Sequence, residues 1–400
     1  MTTARNNTQE NDRMILNVED ALARAEAATD LSNWGTDDAF RVGLAKLIEA
    51  IASAELPEFG RAALESQIID LLSTRLHFVE DERLYPEIVT QVIERPLILT
   101  GLPRTGTTIL HDLCALDPAG RAPLEWESAR PWPAPEAATY ATDFRIAQTQ
   151  AEIDARLEAM PILRSMHPWG ATLPADCLSF LALSFVCSRF VASFSVPDYS
   201  HWLSVTKPDG VYRTHKRALQ QLQWRGPKGR WILKEPQHLL DLEQLVGVYP
   251  DACIVQTHRD PVRTIASVAS LIWTIQSMLR PGIDKKETGR IALELFGAHL
   301  ERGTIARETK AIDDRVIDIA YRDTVLDPVG TVRRIYDHFG LPFSSEHANR
   351  IEHHIGDNPQ GKHGAHKYTP EEFGLDKAAL KGLMPEYRHR FADLLEEPAR

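Results

Sequence analysis

Cysteine is scarce in this 400-residue chain: Cys114, Cys177, Cys187 and Cys253 are the only four, and no two form a C-x-x-C pair. That spacing excludes a disulfide framework and a cysteine zinc site, and it fits reduced thiols in a reducing compartment. No apolar run approaches the length of a membrane span, and the opening MTTARNNTQENDR lacks the apolar core of a signal peptide. The cytoplasm is therefore the expected location. Positive charge is also in short supply. With 45 Lys+Arg against 56 Asp+Glu, the formal net charge of −11 excludes a general nucleic-acid binder, which would carry a basic surface. A local cluster of Arg, Lys and backbone N–H groups could still hold a nucleotide-sized anion. No fixed-period repeat marks a solenoid.

What is present is ordinary for a soluble globular chain: 43% hydrophobic and 25% charged residues, enough for one large or two ordinary domains. Residues 1–13 are polar and expected to be disordered. Residues 14–93 carry apolar residues at three and four spacings, as in VEDALARAEAA, AFRVGLAKLIEAIASAEL and GRAALESQIIDLLSTRL, which predicts a helical lead-in packed on the core. The remainder, 94–400, reads as one domain.

Four short β-rich runs lie far apart in that remainder: PLILT (96–100), WIL (231–233), CIVQT (253–257) and VIDIA (316–320). Each is followed by a polar or glycine-marked turn and a helix-like segment. This is the alternation of an α/β fold with a central, mostly parallel sheet in three layers. Ligands bind beyond the carboxyl ends of such strands. Here the first strand runs into a glycine loop with Arg104, the second into Lys234, the third into His258 and Arg259, and the fourth into Tyr321. Cations and a glycine loop on one rim point to a phosphate-bearing ligand.

Between the first two strands lies a long stretch that includes PWPAPEA and the helical patterns FRIAQTQAEIDARLEAM and CLSFLALSFVCSRFVASF. Residues 131–230 are expected to form a helical insertion beside the site. Its aromatic residues, Trp132, Trp169, Phe180, Phe185, Phe190, Phe194, Tyr199 and Trp202, suit either an ordinary helical core or an apolar acceptor pocket.

The glycine loop is PLILTGLPRTGTTILHDL. Gly101 and Gly106 are spaced as in the G-x-x-x-x-G-K-[ST] phosphate loop and Thr108 stands at its hydroxyl position, but the lysine position is Thr107. Without that lysine, and without an apolar strand ending in a magnesium-binding Asp, a triphosphate–metal complex fits poorly. A single 5′-phosphate with a further group attached fits better. An adenine nucleotide whose 5′-phosphate carries sulfate is such a donor: the sulfuryl group has less charge to screen, so its transfer needs no metal.

GLPRTGTT (101–108) together with QTHRDPVRTIASVASL (256–271) resembles the sulfotransferase superfamily that uses 3′-phosphoadenosine 5′-phosphosulfate. The helical lead-in, RAPLEWE, PWPAP, LKEPQH and GKHGAHKYTPEEFGL extend the likeness to a bacterial sulfotransferase group over most of the chain. The resemblance implies that Arg104, Thr105, Gly106, Thr107 and Thr108 bind the 5′-phosphosulfate. It also implies that Arg259 and Ser267 grip the 3′-phosphate. Asp260-Pro261 independently reads as a helix start, placing Arg259 at a helix N-terminus. Tyr321 matches a nucleotide-contacting tyrosine of tyrosylprotein sulfotransferases. Lys362, His366 and Lys367 fall in a late loop that closes over the nucleotide in the superfamily.

In the tyrosylprotein enzymes the base is a glutamate that corresponds to Glu125. Glu127 is its neighbour, and cytosolic relatives use a histidine instead, for which His238, His167 and His111 are the candidates. Trp126 beside Glu125 would raise a carboxyl pKa, as suits a base for a hydroxyl. Lys234 matches a lysine that acts on the leaving-group side, with Glu235 as an unusual second carboxylate beside it. The implied activity is sulfuryl transfer to a hydroxyl of an apolar small molecule, with no nucleic-acid partner. The competing readings are a P-loop kinase or NTPase, and a nucleotide-binding protein without catalysis.

Overall fold

A computed structural model describes residues 16–54, 56–165, 168–358, 368–376, 380, 382 and 384–395. Lys362, His366, Lys367 and His167 therefore lie outside the described residues. Five strands, β1 (Leu97–Gly101), β2 (Gly120–Arg121), β3 (Arg230–Lys234), β4 (Cys253–His258) and β5 (Val316–Ala320), form one sheet in the order β2-β3-β1-β4-β5. All four pairings are parallel; Leu99 sits opposite Lys234 on one side and Val255 on the other. The four expected strands are present within a residue of their sequence bounds. The edge strand β2 has no apolar run to announce it, being only Gly120 and Arg121.

Helices α1 (Val18–Thr29), α2 (Phe40–Ser53) and α3 (Glu58–Leu84) form the lead-in, and α4 (Thr107–Ala115) follows the glycine loop. The insertion carries α5 (Glu125–Ala129), α6 (Phe144–Ala159), α7 (Leu178–Ala182), α8 (Ser188–Ser193), α9 (Pro197–Val205) and α10 (Val211–Arg225). After β3 come α11 (Leu242–Val248), then, beyond β4, α12 (Pro261–Leu279), α13 (Lys285–Ala306) and α14 (Lys310–Asp313). Beyond β5 lie α15 (Tyr321–Leu326), α16 (Pro328–His338) and α17 (Ser345–Asp357).

Strand alternation divides the sheet's apolar side chains between two faces. Leu97, Leu99, Ile232, Val255 and Ile319 pack with Leu110 and Leu113 of α4, Val332 and Ile335 of α16 and Ile351 of α17. Ile98, Leu233 and Ile254 join the larger cluster that holds the lead-in helices and most of the insertion. Helices thus cover both faces, as an all-parallel sheet requires.

Two expected helical stretches are shorter than their sequence patterns. The lead-in helix ends at Leu84 rather than near residue 93, because Pro86 disfavours helical backbone at Tyr85. The pattern at 177–194 is split into α7 and α8. Between them Phe185 adopts a left-handed backbone (φ 56), and the Ser184 hydroxyl takes over local hydrogen bonding, donating to Leu181 O and accepting from Val186 N. Gly43 of α2 packs there, with no room for a side chain: a Cβ would stand 2.5 Å from Phe185 O.

Candidate active site

The sequence between β1 and α4 makes a tight loop. Gly101 has φ 135, and a Cβ there would lie 2.4 Å from Thr257 Oγ1. Arg104 and Gly106 also adopt left-handed backbone (φ 72 and 88). Gly106 leads into α4, whose first N–H groups have no intrahelical acceptor and no side-chain cap. The Thr105 hydroxyl donates to Leu102 O (2.6 Å) and pairs with Thr257 Oγ1 (2.6 Å). Thr105 is buried, so its side chain braces the loop instead of facing the cavity. The hydroxyls of Thr107 and Thr108 make no hydrogen bond among the described residues, and both residues line the cavity.

Four of the expected nucleotide residues are in mutual contact. Arg259 Nη1 donates to Arg104 O (3.2 Å), and its guanidinium carbon lies 4.1 Å from the Tyr321 ring centroid. Arg104 Nε donates to Ser267 Oγ (3.2 Å) on the second turn of α12. That helix starts as its sequence suggests, with the Asp260 side chain accepting from Val262 N and Pro261 in the first position. The other cation expected at this strand end, His258, points elsewhere. It is buried, paired with Tyr387 OH (2.9 Å) and Asp318 Oδ1 (2.8 Å), and burial holds its imidazole below the usual pKa.

A cavity of about 830 Å³ opens beside the loop. Arg104, Gly106, Arg259 and Tyr321 line it beside the glycine loop. Glu125, Glu152, Arg156, Asp176, Arg189, Lys234 and Glu235 supply its other charged groups. Aliphatic side chains of α12 (Val268, Leu271, Ile272, Ile275) and of α6 (Ile153) complete its walls. The insertion's aromatics contribute little: Phe180, Phe185, Phe190 and Tyr199 are buried in the core, whereas Trp169 and Phe194 reach the cavity.

Glu125 opens the short helix α5. Its carboxyl makes no hydrogen bond among the described residues. Burial pushes it up to about 7, with the negative charge of Asp176 adding to the rise and Lys234, Arg189 and Arg156 opposing it. Glu127 is two residues away in a different environment. It is fully buried, receiving Arg121 Nη2 (2.5 Å), Tyr140 OH (2.7 Å) and Leu124 N (3.0 Å). Neither Glu127 nor the two described histidine candidates line the cavity. His111 Nε2 bonds Ile232 O, and His238 Nδ1 bonds Tyr212 OH in the core.

Lys234, the last residue of β3, is buried except for its face on the cavity, and its Nζ donates to Asp176 Oδ2 (3.2 Å). Burial works against the ammonium charge, but Asp176, Glu235 and Asp112 hold its pKa above that of an ordinary lysine. Burial also lifts Glu235 up to about 8, with Asp176 adding and Lys234 opposing. Where Glu235 is ionised, its charge favours the protonated lysine. Asp176 and Arg189 are absent from the sequence-based site. Both lie in the insertion, Asp176 just before α7 and Arg189 on α8, where no strand end or glycine pattern marks them.

A parallel sheet with a glycine loop, cations at its rim and a paired carboxyl and lysine in one cavity define a transferase that handles an anionic donor. A model of the sulfotransferase family matches residues 96–345, and the chain belongs to that family. It is 25% identical over 301 residues to the omega-hydroxy-beta-dihydromenaquinone-9 sulfotransferase Stf3 of Mycobacterium bovis, covering 71% of this chain and 72% of the relative. The Mycobacterium tuberculosis protein of the same name matches equally. Among solved structures, sulfotransferase STF9 from Mycobacterium avium superposes with a TM-score of 0.86 at 29% identity, over 97% of this chain and 99% of that one. Sulfotransferase STF1 from Mycobacterium tuberculosis gives 0.82 at 31% identity, over 93% and 99%. The chain is therefore an enzyme that transfers a sulfuryl group from a sulfate donor, on the P-loop-like fold of this family. No helix among the described residues is long and apolar enough to cross a membrane.

Proposed function

We propose that the enzyme takes its sulfuryl group from 3′-phosphoadenosine 5′-phosphosulfate and delivers it, without a metal ion, to a hydroxyl of an apolar small molecule. The observation that carries this reading is a single cavity. Its lining includes the glycine loop, Arg259 and Tyr321, aliphatic side chains of α12 and α6, and Glu125 and Lys234. The loop fits the donor. Gly106 leaves the close approach that a phosphate oxygen needs, α4 begins there, and Arg104 and Arg259 bring the charge that the missing lysine does not.

In this reading Glu125, ionised, takes the acceptor's hydroxyl proton as that oxygen attacks sulfur. Lys234 and the hydroxyls of Thr107 and Thr108 stabilise the charge that gathers on the phosphate oxygen as its bond to sulfur breaks. Arg104 holds the 5′-phosphosulfate, and Arg259 with Ser267 reads the 3′-phosphate. Tyr321 flanks Arg259 against the nucleotide. Thr105 contributes by fixing the loop. Lys362 and His366 complete the donor site on the strength of the resemblance. The aliphatic walls suit an apolar acceptor, in keeping with relatives named for action on omega-hydroxy-beta-dihydromenaquinone-9. Four free cysteines, all buried, accord with a cytoplasmic enzyme.

Thermal melts with adenosine 3′,5′-bisphosphate, 5′-AMP and Mg-ATP test the donor assignment. A ligand at a hundred times its dissociation constant stabilises the fold by about 2.7 kcal/mol. The bisphosphate should raise the melting temperature well above the AMP sample without added metal. A shift with Mg-ATP alone would replace this reading with a kinase or NTPase.

A further inference from the structure

Three side chains from distant parts of the chain converge in the core behind Lys234. Cys177 precedes α7, His215 lies in the second turn of α10, and His238 sits in the 3₁₀ turn Pro236–Asp241 that follows β3. All three are fully buried. Cys177 Sγ and one ring nitrogen of each histidine lie within 4.8 Å of one another. His215 Nδ1 pairs with Tyr249 OH (2.7 Å) and His238 Nδ1 with Tyr212 OH (3.1 Å), while neither Nε2 has a hydrogen-bond partner. A single thiol S–H can serve only one of these two nitrogens, so the cluster by itself leaves a buried polar atom unmet.

We propose that Cys177, His215 and His238 bind one thiophilic metal ion of the zinc class, through the sulfur and the two Nε2 atoms, as a structural site behind the end of β3. One cysteine and two histidines are a ligand set that zinc accepts, with water in the fourth position. Bonds of about 2.0–2.1 Å to nitrogen and 2.3 Å to sulfur put ligand atoms about 3.3–3.6 Å apart in a tetrahedron, so each pair needs to close by at most about 1.5 Å. The tyrosines on the Nδ1 atoms fix the rings, the part that outer hydrogen bonds play around metal-bound histidines. A histidine must be neutral to ligate, and burial holds His215 at about 3 and His238 well below the usual imidazole value. Burial holds the Cys177 thiol well above its ordinary value, with Glu235 and Asp176 adding and the Lys234 backbone and ammonium opposing. The ion supplies the positive charge that makes it a thiolate, and the thiol proton leaves to solvent.

None of the three residues lines the cavity, so the ion takes no part in the transfer and the site does not depend on the roles proposed above. Its effect is mechanical. Cys177 N donates to Lys234 O (2.9 Å) and His238 N to Glu235 O (3.3 Å), so an ion joining these side chains would stiffen the backbone that carries Lys234. The spacing of the cysteines excludes a site of paired cysteines; a lone cysteine joined by two histidines from other elements leaves no such pattern.

Because the cluster is enclosed, the ion enters as the chain folds, and the test loads it in the cell. The full chain is produced in zinc-supplemented and, separately, cobalt-supplemented medium and purified without a metal-affinity column. Elemental analysis should find about one ion per chain, and the cobalt protein should show the near-ultraviolet band of a thiolate-bound cobalt ion. Cys177→Ala should cut the metal to below about a tenth of an equivalent and abolish the band. Cys114→Ala, at a buried cysteine of the other sheet face, should keep both. Should Cys177→Ala fail to fold, X-ray absorption at the zinc edge of the wild type reads the ligands directly, with one sulfur and two imidazoles expected. A folded wild type that carries no metal from either medium overturns the site and leaves a water or nothing between the three side chains. Metal that survives in a folded Cys177→Ala, or an edge spectrum without sulfur, overturns it as well.

Discussion

Gly106 and the ring of Tyr321 stand so close that a Cβ on Gly106 would lie 2.9 Å from Tyr321 Cδ2. The first residue of α15 thereby closes over the last residue of the glycine loop, and the Arg259 guanidinium carbon lies over the same ring, 4.1 Å from its centroid. Gly106→Ala would meet both this contact and a backbone at φ 88, where a side chain is strained. Bisphosphate affinity should fall at least tenfold while the melting temperature drops by only a few degrees. Calorimetry and a thermal melt on the same sample check this.

Arg259→Ala removes the cation proposed to read the 3′-phosphate. A hydrogen bond to a charged group is worth roughly 1.5–3 kcal/mol, so bisphosphate binding should weaken by roughly ten- to a hundredfold. Affinity for 5′-AMP should change little. Equal losses for both nucleotides would reassign the arginine to the 5′ end.

The two neighbouring glutamates should separate cleanly. Glu127→Ala leaves Arg121 buried without its carboxylate, which typically costs about 3–5 kcal/mol of stability. Glu125→Gln should abolish turnover yet stabilise the fold at alkaline pH. The folded-state pKa of about 7 lies above the unfolded value, so between the two the folded protein holds more protons and its stability falls as pH rises. Removing the group removes that fall, a gain on the order of 1–3 kcal/mol at pH 8. Denaturant melts across pH 5–9 give both signs.

The same carboxyl sets a kinetic expectation. A base must be ionised to act, so turnover should rise with pH through the region near 7 that Glu125 marks. Lys234, held above the ordinary lysine value, should stay charged across that range. A pH profile of kcat that lacks an acid limb would disqualify Glu125 as the base.

The aliphatic wall of α12 should affect the acceptor alone. Ile275→Trp fills part of the cavity. It should raise the acceptor KM or block turnover, while bisphosphate binding stays within about twofold.

The glycine loop, Arg259 and Tyr321 were legible in the sequence because the strand ends of a parallel sheet stand at marked places, a glycine turn, an Asp-Pro helix start and a tyrosine at a strand's end, whereas Ser267 was marked by the family resemblance alone. The structure brings these four together, as the contacts of Arg104 with Ser267 and of Arg259 with Tyr321 show. Thr105 shows the limit of a motif, since whether a hydroxyl faces the ligand or the loop's own carbonyl depends on packing against Thr257. The choice between Glu125 and Glu127 needed three dimensions as well. Both flank Trp126, and the difference lies in Arg121 and Tyr140, which the fold brings to only one of them. Asp176 and Arg189 were invisible for a further reason. Asp176 reaches the cavity through irregular backbone, whose course is set by the long-range hydrogen bonds of its neighbours Ala175 and Cys177 to Pro123 and Lys234, and Arg189 reaches it from the short helix α8, which follows the break at Phe185. The early end of α3 at Tyr85-Pro86 was written in the sequence, but the helical periodicity around it masked the signal.

The split of the apolar wall from the anion grip separates two kinds of inheritance. The loop, Arg259 and Tyr321 are tied to the sheet, whose register leaves each strand end little latitude. Ile153, Met160, Leu163 and Trp169 instead belong, with Leu157 and Met278, to a small apolar cluster separate from both large ones. Changes there need not propagate through the sheet. Remodelling that flank would reshape the cavity wall while the residues at the strand ends stay in place.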